Sequence, residues 1–122
     1  MPKIATKQEV ESILNDFKTK VRIFQIIFLD DRGKNAQAIL DLEISPIKRK
    51  AFIEKLTFED YSEGPFEEQM RGILPMWVFG RGVKGTEVYI KISMGLPNSQ
   101  TICISFHPSE HPINYQFKHI KP

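Results

Sequence analysis

The sequence predicts a single α+β domain in which helices come first and an antiparallel sheet follows. Up to about residue 60 the apolar side chains recur at helical spacing, whereas from Met76 onward they alternate with polar ones. The chain of 122 residues has the length of one domain and can bury a core without disulfides or metal ions. We therefore treat residues 1–122 as one folding unit.

A capping-box pattern opens the first predicted helix. Thr6 and Glu9 have the spacing at which each side chain caps the backbone N–H of the other residue. Five apolar residues then follow on one helical face: Val10, Ile13, Leu14, Phe17 and Val21. They predict an amphipathic helix over about 7–20. The β-branched and aromatic run at 21–29 predicts a strand, and the Asp-Asp-Arg-Gly sequence at 30–33 predicts the turn that ends it.

The sequence of the middle segment predicts several short helices. Asn35 is a candidate N-cap for the first of them. The serine–proline pair at 45–46 opens a second, which continues to about Lys55, and Thr57 begins a third of one turn. Two glycines and two prolines among mixed charges then predict an irregular loop over 62–75.

The C-terminal half predicts three strands, at 76–81, 86–92 and 101–106, separated by glycine-containing turns. The tail at 115–119 alternates weakly and predicts an additional edge strand. These strands supply the sheet of the α+β domain, and the helices before them supply the layer that covers it.

A shared polar face follows from the alternation in two of these strands. The apolar sets are Val88, Ile90 and Ile92 in one strand and Ile102, Ile104 and Phe106 in the other. If the strands pair directly, both sets must cover the core, because one side of a sheet is buried. The remaining side chains then share the opposite face: Glu87, Tyr89, Lys91, Cys103, Ser105 and His107. The register stays open, with His107 opposite residue 85, 87 or 89.

Three side chains of this face would suffice for metal-free cleavage of RNA. His107 titrates near neutral pH and can act as general base or general acid. Lys91 is a fixed cation for the charge that develops on phosphate, and Tyr89 supplies a phenol. Arg81 and Lys84 are near in sequence and can help to bind phosphate. The alternative interpretation is a solvated outer face of the sheet with no function.

The charge distribution is compatible with an anionic partner. Residues 1–70 have a balance of −2 and residues 71–122 a balance of +4, and the latter segment also contains all three histidines. An imbalance of this size also arises by chance.

The single Cys103 excludes a disulfide within the chain, and we find neither a secretory signal nor an apolar run that could span a bilayer. We expect a cytoplasmic protein that is not attached to a membrane.

Three other motifs favour a structural interpretation. The H-x-x-E-H pattern at 107–111 resembles an inverted zinc-protease motif, but Pro112 follows at once and leaves no helix to align the ligands. Cys103 lies among isoleucines and is typical of a packed small residue rather than a nucleophile. Trp77 and Phe79 share one strand face, where they either stack on bases or fill the core. We expect no metal and no cofactor.

Four blocks of the sequence resemble toxins of the motility quorum-sensing regulator (MqsR) family. They are LTFEDYSEGP at 56–65, MWVFG at 76–80, EVYIKI at 87–92 and ICISFH at 102–107. The resemblance extends over about 36–117. It implies a RelE-like fold, with helices packed on an antiparallel sheet, and a ribosome- and metal-independent mRNA endonuclease that a cognate antitoxin protein neutralises.

The resemblance carries over to individual residues unevenly. Tyr89 matches the tyrosine of the Val-Tyr-Ile-Lys block. His107 stands where better-known members have a lysine, so a titratable group replaces a fixed cation. Val78 stands where they have a glutamine, and the lysine expected between the helices and the loop has no clear match.

The leading hypothesis is an RNA-cleaving toxin with His107 as acid/base, assisted by Tyr89 and Lys91. Its RNA-binding residues are expected to be Arg81, Lys84 and Trp77. The alternative is a non-enzymatic RNA- or protein-binding module on the same fold, with a docking surface near Cys103, Ser105 and Tyr115. A metallo-hydrolase is a third, weaker alternative.

Overall fold

Helices dominate the first half of the chain and strands the second. The computed structural model describes residues 4–29, 33–66, 75–96 and 98–118. The helices are α1 (Lys7–Phe24), α2 (Gly33–Asp41), α3 (Pro46–Glu54) and a 3₁₀ turn (Phe58–Asp60). The strands are β1 (Ile26–Phe28), β2 (Tyr61–Phe66), β3 (Met76–Val83), β4 (Thr86–Ser93) and β5 (Thr101–Pro108).

The five strands form one sheet in the order β1-β5-β4-β3-β2. All neighbours are antiparallel except β1 and β5, which run parallel. The predicted α+β class, with N-terminal helices followed by a mostly antiparallel sheet, is therefore confirmed. The three predicted C-terminal strands are β3, β4 and β5, and β4 lies at the centre.

One face of the sheet packs against α1 and forms the core. The helix contributes Val10, Leu14, Phe17 and Val21, and the central strands contribute Phe79, Ile90, Ile92 and Phe106. The predicted capping box at Thr6 and Glu9 begins the helix. Burial of these side chains in one cluster fixes which face of each strand points inward, and so fixes which face is left for other uses.

The strand predicted over 21–29 is mostly wrong. The helix continues to Phe24, because Val21 is fully buried on its apolar face and contact with the core outweighs the strand propensity of the segment. Gln25 ends the helix with φ of 69° and donates its backbone N–H to the carbonyl of Val21. Only Ile26–Phe28 is a strand. Most of the turn predicted after it lies outside the described residues.

The loop predicted over 62–75 begins instead as an ordered strand. Residues 61–66 pair with β3, with two register shifts, one on each side of Glu63. An edge strand tolerates Gly64 and Pro65 because, apart from an isolated bridge between Gly64 and Ile4, no second strand pairs with its outer side in the described residues, and bulges absorb the irregularity. Residues 67–74 lie outside the described part of the chain.

Of three other predicted elements, one differs from the structure and two are confirmed. No strand forms over 115–118, where the tail crosses the sheet instead of extending its edge, and His119 lies outside the described residues. The helix predicted from the pair at 45–46 is confirmed as α3, with Ser45 accepting from the N–H of Lys48. The 3₁₀ turn confirms the short segment that Thr57 begins.

Asn35 is not a helix cap but a buried link between α2 and β5. Its Nδ2 donates to the carbonyls of Leu29, at 2.9 Å, and Ile104, at 2.8 Å, and its Oδ1 accepts from the N–H of Phe106, at 3.0 Å. Because β1 ends at Phe28, these groups of β5 have no strand beside them. The amide side chain satisfies the backbone hydrogen bonds that a longer β1 would have made.

We predict that Asn35→Ala lowers the free energy of unfolding by about 1–3 kcal/mol, because it leaves buried backbone groups without partners. The measurement is urea unfolding followed by circular dichroism. Asn15→Ala on the exposed side of α1 is the control and should stay within about 0.5 kcal/mol of the parent. Equal stability of the two variants would contradict the role given to Asn35.

Candidate functional site: a pocket on the outer sheet face

A pocket of about 730 Å³ lies over the sheet face that points away from α1. Its floor contains Val78, Tyr89, Lys91, Ser105 and His107. Its walls come from residues 33–35 of α2, residues 62–63 of β2 and residues 109–114 after β5. Four side chains of the predicted polar face, Tyr89, Lys91, Ser105 and His107, are therefore brought together, and they form the floor of a concave site instead of a flat solvated face.

The register of β4 and β5 sets the geometry of the floor. Tyr89 lies opposite His107, and their rings stack with centroids 5.5 Å apart and planes inclined by 20°. Lys91 lies opposite Ser105, and its Nζ is 5.8 Å from the centre of the Tyr89 ring. A titratable ring, a phenol and a cation thus adjoin one another at one end of the pocket.

Cys103 does not share this face, contrary to the sequence prediction. β5 has one extra residue at Ile104, since Lys91 pairs with Ser105 but Ile92 pairs with Cys103. The bulge reverses the alternation, so Cys103 joins the buried cluster beside Ile92. Its Sγ contacts the carbonyl of Ser105 at 3.4 Å. The residue is packed, as expected, and takes no part in the pocket.

The ring of His107 is oriented by a backbone carbonyl. Its Nδ1 lies 2.9 Å from the carbonyl oxygen of Pro108. A carbonyl only accepts hydrogen bonds, so Nδ1 carries a proton in either charge state of the ring. Nε2 is consequently the atom of His107 that can exchange a proton with a bound molecule.

Tyr89 is held in its protonated form. Burial, and after it the negative charge of Glu63, raises the pKa of the Tyr89 phenol above its ordinary value. The hydroxyl therefore remains a hydrogen-bond donor at neutral pH. Glu63 reaches the pocket because the register shift after Tyr61 brings two consecutive residues, Ser62 and Glu63, to the pocket side.

A C-terminal strap, defined as residues 109–117, forms one wall of the pocket. Gly80 lets the strap approach the sheet, because a Cβ there would lie 2.5 Å from Cδ1 of Ile113 and 2.6 Å from the hydroxyl of Tyr115. The strap ends beside β2, where the backbone N–H of Gln116 donates to the carbonyl of Tyr61. It therefore crosses the sheet from β5 to β2.

Glu87 is the anchor of the strap. Its carboxylate accepts hydrogen bonds from the Ser109 hydroxyl at 3.0 Å, the Ile113 N–H at 3.2 Å and the Tyr115 hydroxyl at 2.9 Å. Burial by itself raises the pKa of Glu87, but the hydrogen bonds from Tyr115, Ile113 and Ser109 outweigh it and hold the pKa below its ordinary value. Burial and the Glu87 carboxylate in turn raise the pKa of Tyr115.

The H-x-x-E-H residues do not form a metal site. His107 lies in a strand and His111 on the strap, so no helix aligns them. Glu110 instead pairs with Lys34, whose hydrogen bond and charge lower the pKa of the carboxyl group. Within the described ranges, no group of three or more His, Cys, Asp or Glu side chains could hold a metal ion.

Three residues predicted to bind RNA lie away from the pocket. Arg81 shares the core-side face with Val88, and its Nη1 lies 3.0 Å from Oδ2 of Asp60. Trp77 is packed in the core opposite Ile92. The other predicted residue, Lys84, follows β3 in the turn and donates to the carbonyl of Glu43.

The alternation of the strand explains these positions. Trp77, Phe79 and Arg81 occupy alternate positions in β3, so all three point to the core side of the sheet. The sequence prediction assigned Arg81 and Lys84 from their nearness along the chain, which does not fix the face on which a side chain lies. Their proposed contacts with RNA have no support from their positions.

No protein-family model, curated protein or solved structure matches the chain. The resemblance to MqsR toxins, which was based on the four sequence blocks, therefore stays a prediction. In the described parts of the chain, no helix is both long and apolar enough to cross a membrane.

We predict that Glu87→Gln destabilises the protein at neutral pH, because the amide accepts fewer hydrogen bonds from the strap. The folded pKa of Glu87 is depressed, so its contribution is present above the ordinary carboxyl pKa and is lost as pH falls through the folded value. The difference in the free energy of unfolding between the parent and Glu87→Gln should therefore be smaller at pH 3 than at pH 7. Urea unfolding at pH 7 and pH 3 measures it.

Glu11→Gln, on the exposed side of α1, is the matched control. If Glu87→Gln lowers the free energy of unfolding by the same amount at pH 7 and at pH 3, Glu87 does not anchor the strap through its ionised carboxylate.

Proposed function

We propose that the protein is a metal-independent endoribonuclease that cleaves mRNA in the pocket on the outer sheet face. The observation that carries this proposal is the stacked pair of Tyr89 and His107 beside Lys91 on the pocket floor. A volume of about 730 Å³ falls within the usual range for ligand pockets, about 300–1,000 Å³, and suits a nucleotide unit of an RNA chain.

Cleavage needs an activated hydroxyl and a protonated leaving group. The ribose 2′-OH loses its proton, its oxygen bonds to phosphorus, and the bond from phosphorus to the 5′-oxygen breaks as that oxygen gains a proton. The products are a 2′,3′-cyclic phosphate and a 5′-hydroxyl. Nε2 of His107 is available for one of the two proton transfers, because Nδ1 is engaged by Pro108.

The other two floor residues act on the phosphate and its surroundings. Lys91 supplies a fixed positive charge where negative charge develops on the phosphate oxygens. Tyr89 orients the His107 ring by stacking on it and keeps a hydroxyl donor, because burial and then Glu63 raise its pKa. Ser105 lies beside the site, opposite Lys91.

The four blocks similar to MqsR toxins support a toxin as the biological context. We accordingly propose a cognate antitoxin protein as the partner, mRNA as the substrate and the cytoplasm as the location. The docking surface suggested for a purely binding module is not formed around Cys103, because that residue is buried. If the protein only binds RNA in this pocket, the tests below will detect binding but no cleavage product.

We predict that purified protein cleaves single-stranded RNA in the presence of EDTA and that His107→Ala reduces the rate by about 10²-fold or more. His111→Ala is the control, because His111 is an exposed histidine of the pocket rim. The measurement is gel separation of a labelled oligonucleotide, with identification of the cyclic phosphate by mass spectrometry. Cleavage by His107→Ala at the parent rate would refute this role.

We also predict that Lys91→Ala weakens binding of an uncleavable 2′-O-methyl RNA and flattens its salt dependence. Loss of one phosphate contact should reduce the slope of log K against log salt by about 0.7. Lys84→Ala, at the turn remote from the pocket, should leave the slope close to that of the parent. Fluorescence anisotropy at several salt concentrations measures both. An unchanged slope in Lys91→Ala would exclude the phosphate contact.

A further inference from the structure

Cleavage at the pocket floor leaves one proton transfer without a named residue. His107 can take part in one transfer, but the reaction removes a proton at the 2′-oxygen and delivers one at the 5′-oxygen. The second group must lie in the pocket and accept or release a proton near neutral pH. The raised pKa of Tyr89 makes it unsuitable as a base, and Lys91 is a cation.

The carboxylates of the pocket differ in their surroundings. Glu110 lies on the exposed rim and is paired with Lys34. Glu63 is half-buried in the wall formed by β2, and within the described residues no hydrogen bond or ion pair occupies its carboxylate. Its charge nevertheless acts on Tyr89, where it contributes to the raised pKa. Glu63 is therefore a carboxylate that faces the stacked pair and is open to a ligand.

The position of Glu63 suits a group on the opposite side of a bound phosphodiester from His107. Glu63 pairs with Val78, and Val78 pairs with Lys91. Two strand spacings therefore separate Glu63 from Lys91, about 10 Å between Cα atoms. A ribose-phosphate unit lying over Val78 can contact Glu63 on the wall and Lys91 on the floor, and His107 lies one strand farther on, in β5. The register shifts on either side of Glu63 are irregularities of the kind that re-aim side chains at functional sites.

We propose that Glu63 is the general base and His107 the general acid of the RNA cleavage, an inference that rests on the proposed function. The Glu63 carboxylate takes the 2′-OH proton as the 2′-oxygen bonds to phosphorus. Nε2–H of the His107 imidazolium gives its proton to the 5′-oxygen as the P–O5′ bond breaks. Glu63 ends protonated and His107 neutral, and proton exchange with water restores both.

The roles follow from the chemistry of the two groups. A carboxylate is ionised at neutral pH and has no proton to donate, whereas an imidazole is protonated in part. The other titratable or charged groups that line the pocket with this pair come from α2, β4 and the strap: Lys34, Tyr89, Lys91, Glu110 and His111. Tyr61, buried on the core side of β2, also experiences the charge of Glu63. The carboxylate–imidazole pair gives a rate that rises with pH as the base ionises and falls as the acid loses its proton.

The test is the pH dependence of kcat and KM for a single-stranded RNA oligonucleotide in EDTA, with the full chain. The parent should give a bell-shaped profile. Glu63→Gln should lower kcat by about 10²-fold or more, change KM little and remove the acidic limb. Glu11→Gln, the matched change on the exposed side of α1 and outside the pocket, should keep both limbs and the parent kcat. Glu63→Asp should retain the acidic limb at a reduced rate, and thermal unfolding verifies the fold of each variant.

The outcomes separate this inference from the proposed function. If the parent cleaves RNA and Glu63→Gln keeps the acidic limb or the parent rate, the role of Glu63 is wrong and the nuclease remains. If Glu63→Gln does not fold, loss of the acidic limb in Glu63→Asp also overturns the role. If the parent releases no cleavage product at any pH, the proposed function fails, and this inference fails with it.

Discussion

The inward packing of Ile90 and Phe106 is the constraint on which the rest of the structure depends. These two residues pair across β4 and β5 and are fully buried against α1. Because side chains alternate along a strand, their burial turns the next residues on each strand, Tyr89 and His107, to the opposite face. The hydrophobic core thereby determines the ring pair on which the proposed chemistry depends, although among the described residues none from α1 lines the pocket.

The outer face becomes a pocket only because other segments are held over it. The strap is joined to the sheet through the three hydrogen bonds of Glu87, and the absence of a side chain at Gly80 lets it lie close. On the opposite wall, the irregular pairing of β2 presents Glu63. A sheet face that is open to solvent thus acquires walls, and within those walls an imidazole, a phenol, a cation and a carboxylate face one space.

Much of the sheet could be predicted from sequence, because the alternation in β4 and β5 admits one inward face. The same alternation could have placed Arg81 with Trp77 on the core side. The bulge at Ile104 could not be foreseen, since Ile102 and Ile104 continue an apolar pattern while Cys103 takes the buried position. Glu63 was missed because Gly64 and Pro65 are typical of a loop. Asn35 resembled a cap, and its bonds to β5 depend on tertiary contact.

In the proposed function, RNA binds to the pocket floor and not to the helix-covered face. The most direct test of this binding site is NMR titration of the protein with a single-stranded RNA that carries 2′-O-methyl groups and so lacks the attacking hydroxyl. We expect the imidazole signals of His107 and the ring signals of Tyr89 to shift until the RNA saturates the protein, while the indole signal of Trp77 stays unchanged. Shifts confined to Trp77 and α1, or no shift at His107 at saturating RNA, would contradict it.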